Sequence, residues 1–99
     1  MKARRVIIGP DARADLLHLY DWLAAAASPS VALAYIDRIE RHLRSFDLAP
    51  ERGIARDDIR PGLRVVGFER RVTIAFRPTA EEVTILRVFY AGRNWRSDF

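Results

Sequence analysis

Between Leu63 and Tyr90 the chain runs through three β-prone segments whose connectors are too short for anything but hairpins, and that run constrains the fold more than any other feature. The segments are Leu63 to Gly67, Arg71 to Arg77 and Glu82 to Tyr90, separated by Phe68-Glu69-Arg70 and Pro78-Thr79-Ala80-Glu81. An antiparallel meander is the simplest arrangement they allow.

Two helical patterns precede the meander. Val6, Ile7 and Ile8 form a short apolar β-prone run within Ala3 to Ile8, which stops at Gly9-Pro10. Gly9 suits an N-cap, Pro10 suits the first helical turn because its missing N–H would be unpaired there anyway, and Asp11 complements the helix dipole. Ala12, Leu16, Leu19, Tyr20 and Leu23 then recur at spacings of three and four, one apolar stripe that ends near Ser28-Pro29. Ser28 is placed to cap a second helix with the stripe Ala32, Tyr35, Ile36, Ile39, Leu43 and Phe46. Asp37 with Arg41, and Glu40 with Arg44, sit at the i, i+4 spacing on its polar side. From Asp47 to Gly62 no period persists, and Pro50, Gly53, Pro61 and Gly62 mark a loop whose charged residues are expected to face solvent.

The expected architecture is therefore α+β in the order β-α-α-β-β-β, a helical hairpin packed on an antiparallel sheet. With 99 residues, residues 1–99 are expected to form a single domain. Where the first strand enters the sheet cannot be read from the pattern. No run approaches the ~20 apolar residues that span a bilayer, and no signal-peptide pattern opens the chain, so a cytoplasmic protein is expected. Without cysteine there is no disulfide framework and no thiol nucleophile.

Charge is unevenly placed. Residues 1–59 hold nine basic and nine acidic side chains, whereas residues 60–99 hold eight Arg against Glu69, Glu81, Glu82 and Asp98, so the net charge of +4 lies in the C-terminal part. Sixteen of the seventeen basic residues are Arg, whose planar fork pairs with carboxylate or phosphate and stacks on aromatic rings. Acidic peptide and nucleic acid are both suitable partners.

Strand parity sharpens the expectation, because alternate residues face opposite sides of a sheet. If the helices cover Val72, Ile74 and Phe76, then Leu63, Val65, Leu86 and Val88 are expected on that side too. Arg64, Val66, Ile85, Arg87 and Phe89 fall on the open face, where Arg64, Arg77 and Arg87 would share one surface. Arg87 interrupts an otherwise apolar strand, and a charge there is costly to bury unpaired. It either tethers the sheet through Glu69, Glu82 or the terminal carboxylate, or it meets a partner. His18 and His42 fall on polar helix positions, and His18 with Asp11 and Asp15 reads as a solvated surface, so no metal or other cofactor is expected. Trp22 at the stripe's edge reads as core; Trp95 in a basic tail is harder to explain by packing.

The opening strand is followed by Pro10-Asp11-Ala12 and Asp15-Leu16, then by Ala34-Tyr35-Ile36-Asp37-Arg38-Ile39 and Leu48-Ala49-Pro50-Glu51-Arg52-Gly53. Further on come Arg60-Pro61-Gly62-Leu63-Arg64, and Ile85-Leu86-Arg87-Val88-Phe89-Tyr90 with Gly92-Arg93. The order and spacing of these pieces give the chain, over essentially its full length, a resemblance to the ParE-type toxins of the ParE/RelE superfamily. It implies the β-α-α-β-β-β fold, a cognate ParD-like antitoxin encoded alongside with which a hetero-oligomer forms, and inhibition of DNA gyrase. The chain departs from the family pattern at Tyr90 and Asn94, where many relatives carry His and Asp.

The related RelE branch cleaves messenger RNA on the ribosome, which needs a proton acceptor, a proton donor and cations for the phosphorane. The cations are present in Arg64, Arg77 and Arg87, but the inferred open face has no Lys, His or carboxylate, and Tyr90 has the opposite parity to Arg87. The tail offers Asn94 and Trp95 in place of a catalytic Lys and Tyr. The expectation is thus a toxin that inhibits by binding, with no catalytic residue and with Arg64, Arg77, Arg87, Arg93 and Trp95 contacting target or antitoxin. A ribosome-dependent endoribonuclease using Arg64, Arg87 and Tyr90 is the alternative. A plain nucleic-acid-binding module comes third, since no recognition helix is basic, so direct nucleic-acid binding is not expected.

Overall fold

The computed structural model describes residues 3–90. Strand β1 (Arg5–Ile8) leads into helices α1 (Pro10–Ala26) and α2 (Pro29–Arg44), and a 3-10 turn at Ser45–Asp47 ends the hairpin. The chain then adds β2 (Ile54–Ala55), β3 (Arg64–Phe68), β4 (Val72–Pro78) and β5 (Glu82–Tyr90).

Both helix starts follow their local chemistry. Gly9 is the N-cap of α1 in an extended conformation, with Pro10 in the first turn. Ser28 caps α2 by accepting the Val31 N–H at 3.1 Å, which satisfies one of the donors a helix N-terminus leaves open. On the solvated side Arg41 pairs with Asp37, whereas Glu40 and Arg44 form no ion pair among the described residues.

The strands lie in the order β1-β5-β4-β3-β2. The meander β3-β4-β5 is antiparallel as expected, and β1 enters beside β5 in parallel, with Arg5 opposite Glu82 and Ile8 opposite Ile85. The sheet is therefore mixed. The short β2, inside the segment expected as loop, adds antiparallel to β3 with Ile54 opposite Val65. Two residues carry no periodicity, and Gly53 sets this strand instead. At φ +75° it lets the chain pass so close to β3 that a Cβ would lie 2.2 Å from the Val65 carbonyl oxygen.

The helices cover one face. Ala12, Leu16 and Leu19 of α1, Ile39 and Leu43 of α2, and Phe46 meet Val72, Ile74, Phe76, Val83, Ile85 and Val88 in a core where none is more than 6% exposed. Phe46 and Phe76 meet edge to face with centroids 4.8 Å apart, the geometry aromatic quadrupoles favour. A smaller cluster on the opposite face joins Leu63, Val65, Ala75 and Phe89, with Ile59 and Leu86 against it.

That second cluster corrects the expected parity. Phe68 faces Val72 and Val65 faces Ala75, so with three residues in the turn, facing residues share parity and Leu63 and Val65 leave the helix side for the opposite face. Arg64 and Val66 move the other way, toward the helices. On β5, Phe76 faces Ile85 while Ala75 faces Arg87, which leaves Leu86 as the extra residue of a bulge. Ile85 and Leu86 thereby exchange the faces expected of them, while Val88, Arg87 and Phe89 keep theirs.

Candidate functional site

Arg87 is part-buried against α1. Its Nε and Nη2 donate to the two carboxylate oxygens of Asp15 at 2.8 and 2.9 Å, with the side chains 18% and 7% exposed. The guanidinium also lies 4.7 Å from the Phe89 ring centroid, a cation–π distance. The same carboxylate accepts the Val88 N–H at 2.9 Å, on the strand just past Ile85, where the β1 pairing stops. Asp15 therefore supplies the acceptor that β1 no longer provides. Of the partners expected for Arg87, Glu82 pairs with Arg5 and Glu69 with Arg38, and the terminal carboxylate lies outside the described residues. Asp15, expected as part of a solvated face, is the buried anchor; it follows Ala12 by three residues and precedes Leu19 by four, which places it on the buried side of α1.

Arg64 lies on the helix side of β3, not on the open face, and its guanidinium is fixed by backbone. Nε donates to the Arg52 carbonyl at 3.1 Å, and Nη2 to those of Glu51 and Gly53 at 2.7 and 3.2 Å. Arg52, expected as a solvated charge, grips Ser45 and Ala49 in turn and lies 4.3 Å over the Phe46 ring. Arg52 thus ties the segment before β2 to the end of α2, and Arg64 ties it to β3. Arg77 is exposed and has no ion-pair partner among the described residues; its Nε lies 3.2 Å from where a Cβ on Gly62 would sit. Arg64, Arg77 and Arg87 thus do not form one surface. Arg93 and Trp95 lie outside the described residues.

Tyr90 faces Val72 on the helix side, and Arg87 faces Ala75 on the other, as their parity implied. The Tyr90 ring lies 5.3 Å from that of Trp22. Trp22 is 50% exposed, so it is a surface aromatic rather than the core residue expected. It lines a cleft of about 550 Å³ together with Leu23, Val31, Tyr35 and Tyr90, closed on one side by Arg38, Glu69, Arg70 and Arg71. A second, shallower groove of about 420 Å³ follows the outside of the hairpin, with Leu17, Tyr20, Leu33 and Ile36 among its walls. Leu17 and Leu33 are 67% and 63% exposed there.

His42 is not on a polar face. Its ring packs 5.3 Å from Phe46 and 4.8 Å from Phe68, and its Nε2 is buried with no hydrogen-bond partner among the described residues. Burial, followed by the charge of Arg52, holds its pKa below the usual histidine value.

A family model for the ParE toxin of the type II toxin–antitoxin system parDE matches residues 6–95. The chain belongs to the ParE toxin family. Among solved structures, the chromosomal ParDE toxin–antitoxin system of P. aeruginosa is similar at 26% identity, covering 90% of this chain and 97% of that one with a TM-score of 0.78. The toxin–antitoxin complex RelBE2 of Mycobacterium tuberculosis shares the fold at 21% identity, covering 94% of this chain and 97% of that one with a TM-score of 0.61. No curated protein sequence matches significantly.

This ParE-family chain is therefore the toxin of a type II toxin–antitoxin system, built as two helices on a five-stranded mixed sheet. Among the described residues, no helix is long and apolar enough to cross a membrane. The likeness of the ParE chain to RelBE2 concerns the fold alone.

Proposed function

We propose that this toxin acts in the bacterial cytoplasm by binding and inhibiting DNA gyrase, and that a cognate ParD-like antitoxin neutralises it in a hetero-oligomeric complex. The observation that carries the reading is the ParE family match across residues 6–95. The placement of the Arg residues supports inhibition by binding. Arg64 is held by three carbonyls and Arg87 by Asp15, and Tyr90 lies on the face opposite Arg87, so the set an endoribonuclease would use is not assembled around one point. In this reading Arg77, Arg93 and Trp95 contact the target or the antitoxin directly, whereas Arg64 and Arg87 shape the surface they act from. The exposed Leu17 and Leu33 beside Tyr20 and Ile36 give an antitoxin helix an apolar seat.

A gyrase supercoiling and cleavage assay with purified, folded toxin tests the target. Loss of supercoiling with accumulation of broken DNA is the expected result, relieved when the antitoxin is added. A folded toxin that leaves gyrase untouched but cuts ribosome-bound messenger RNA would replace this reading with the nuclease alternative.

A further inference from the structure

The cleft beside Trp22 is bounded by a turn that the sequence makes costly. Glu69 and Arg70 have φ values of +50° and +62°, the left-handed region that Gly or Asn occupies with far less strain. Two such residues in succession are what a tight hairpin asks for, yet neither position carries the residue type that adopts it readily. Strain of this kind persists where the side chains it displays are needed. Both side chains displayed here stand on the cleft rim.

The two do different things there. Glu69 accepts from Arg38 of α2 at 3.0 and 3.1 Å through both oxygens, which ties the turn to the helical hairpin and holds the Glu69 carboxyl below its usual pKa. Arg70 and its neighbour Arg71 are exposed and have no ion-pair partner among the described residues. Counting Arg38, Arg70 and Arg71 against Glu69, the described rim carries a net excess of positive charge beside an aromatic floor of Trp22, Tyr35 and Tyr90.

We propose that this cleft is an antitoxin-docking site separate from the groove outside the hairpin, taking a bulky apolar side chain against Trp22 while flanking carboxylates meet Arg70 and Arg71. The proposal rests on the toxin–antitoxin reading above. Its warrant is charge complementarity with an acidic peptide segment, on an apolar anchor site of about 550 Å³. The strained turn is then retained because it aims Arg70 at the partner.

The test uses full-length toxin co-expressed with the antitoxin encoded beside it, followed by separation and calorimetric titration. Arg70→Gly relieves the left-handed strain, so it should raise the unfolding midpoint while weakening antitoxin binding by about tenfold or more. Opposite signs in one variant exclude simple unfolding as the cause. Trp22→Ala, at a half-exposed position, should stay folded and weaken binding similarly. Wild-type toxin that binds while both variants bind within about twofold of it would overturn the cleft assignment alone. Wild-type toxin that fails to bind the antitoxin would sink the underlying reading and this proposal with it. Self-association of the toxin that Trp22→Ala abolishes, with antitoxin affinity unchanged, would assign the cleft to a second copy of the chain and overturn the proposal as well.

Discussion

Arg87 and Asp15, 72 positions apart, meet through two parallel hydrogen bonds of 2.8 and 2.9 Å, and the same Asp15 carboxylate takes the Val88 N–H. A carboxylate with three donors on it fixes α1 against β5 in position and in rotation. Removing Asp15 takes two hydrogen bonds from Arg87 and the acceptor from the Val88 N–H, and removing Arg87 takes the counter-charge from a carboxylate that is 7% exposed. Asp15→Ala is accordingly expected to cost about 3 kcal/mol or more of unfolding free energy in urea titrations. Asp15→Ala combined with Arg87→Ala should cost clearly less than the two separate losses added together.

Arg64 makes a different use of the same side chain. A lysine ammonium cannot reach the carbonyls of Glu51, Arg52 and Gly53 in the plane the guanidinium fork spans. Arg64→Lys should lower stability by about 1–2 kcal/mol, and amide hydrogen exchange should accelerate over residues 51–55 before it does elsewhere.

Arg77 is the contrast. Being exposed, with no ion pair among the described residues, it should be replaceable by Ala within about 0.5 kcal/mol of wild-type stability. If it contacts the target, growth inhibition by the induced toxin should fall in Arg77→Ala while the urea midpoint stays put. An unchanged growth phenotype would remove Arg77 from the contact set.

The architecture was legible because its signals are local. Gly9-Pro10 and Ser28-Pro29 announce helix starts through capping chemistry, and the stripes from Ala12 and Ala32 announce which faces are buried. Arg64 and Leu63 were assigned to the wrong faces because face follows from the pairing register, and the number of residues in the turn decides that register. The bulge at Leu86 then reverses the parity partway along β5, and no alternation in the sequence records it. Asp15 was missed because its partners lie 72 and 73 positions away, beyond the reach of any helical spacing rule. The likeness to ParE toxins was carried by the order of several short pieces rather than by any one of them.

His42 makes stability depend on pH. Its pKa lies below the ordinary value of 6.5 in the folded protein, so between those two values the unfolded chain binds the proton more readily. The stability carried by neutral His42 is thus complete above pH about 6.5 and is lost as pH falls toward the lowered folded value. Urea midpoints at pH 7.5 and pH 5.5 should differ more for the wild type than for His42→Leu, and equal differences would mean that other groups set the dependence.

Gly53 offers a purely steric test. A methyl group there would strike the Val65 carbonyl oxygen at a φ of +75°, so Gly53→Ala should cost about 2 kcal/mol or more and release β2 from β3, seen as loss of exchange protection at Ile54 and Ala55.

The parallel seat of β1 sets an order of events. Among the described strands, β1 pairs with β5 alone, Arg5 with Glu82 and Ile8 with Ile85. A chain that stops at Pro78 lacks the strand on which β1 pairs and on which α1 packs, so its first strand has no seat. Pairing across so long a stretch of chain is entropically slow, so β1 is expected to dock on β5 late in folding.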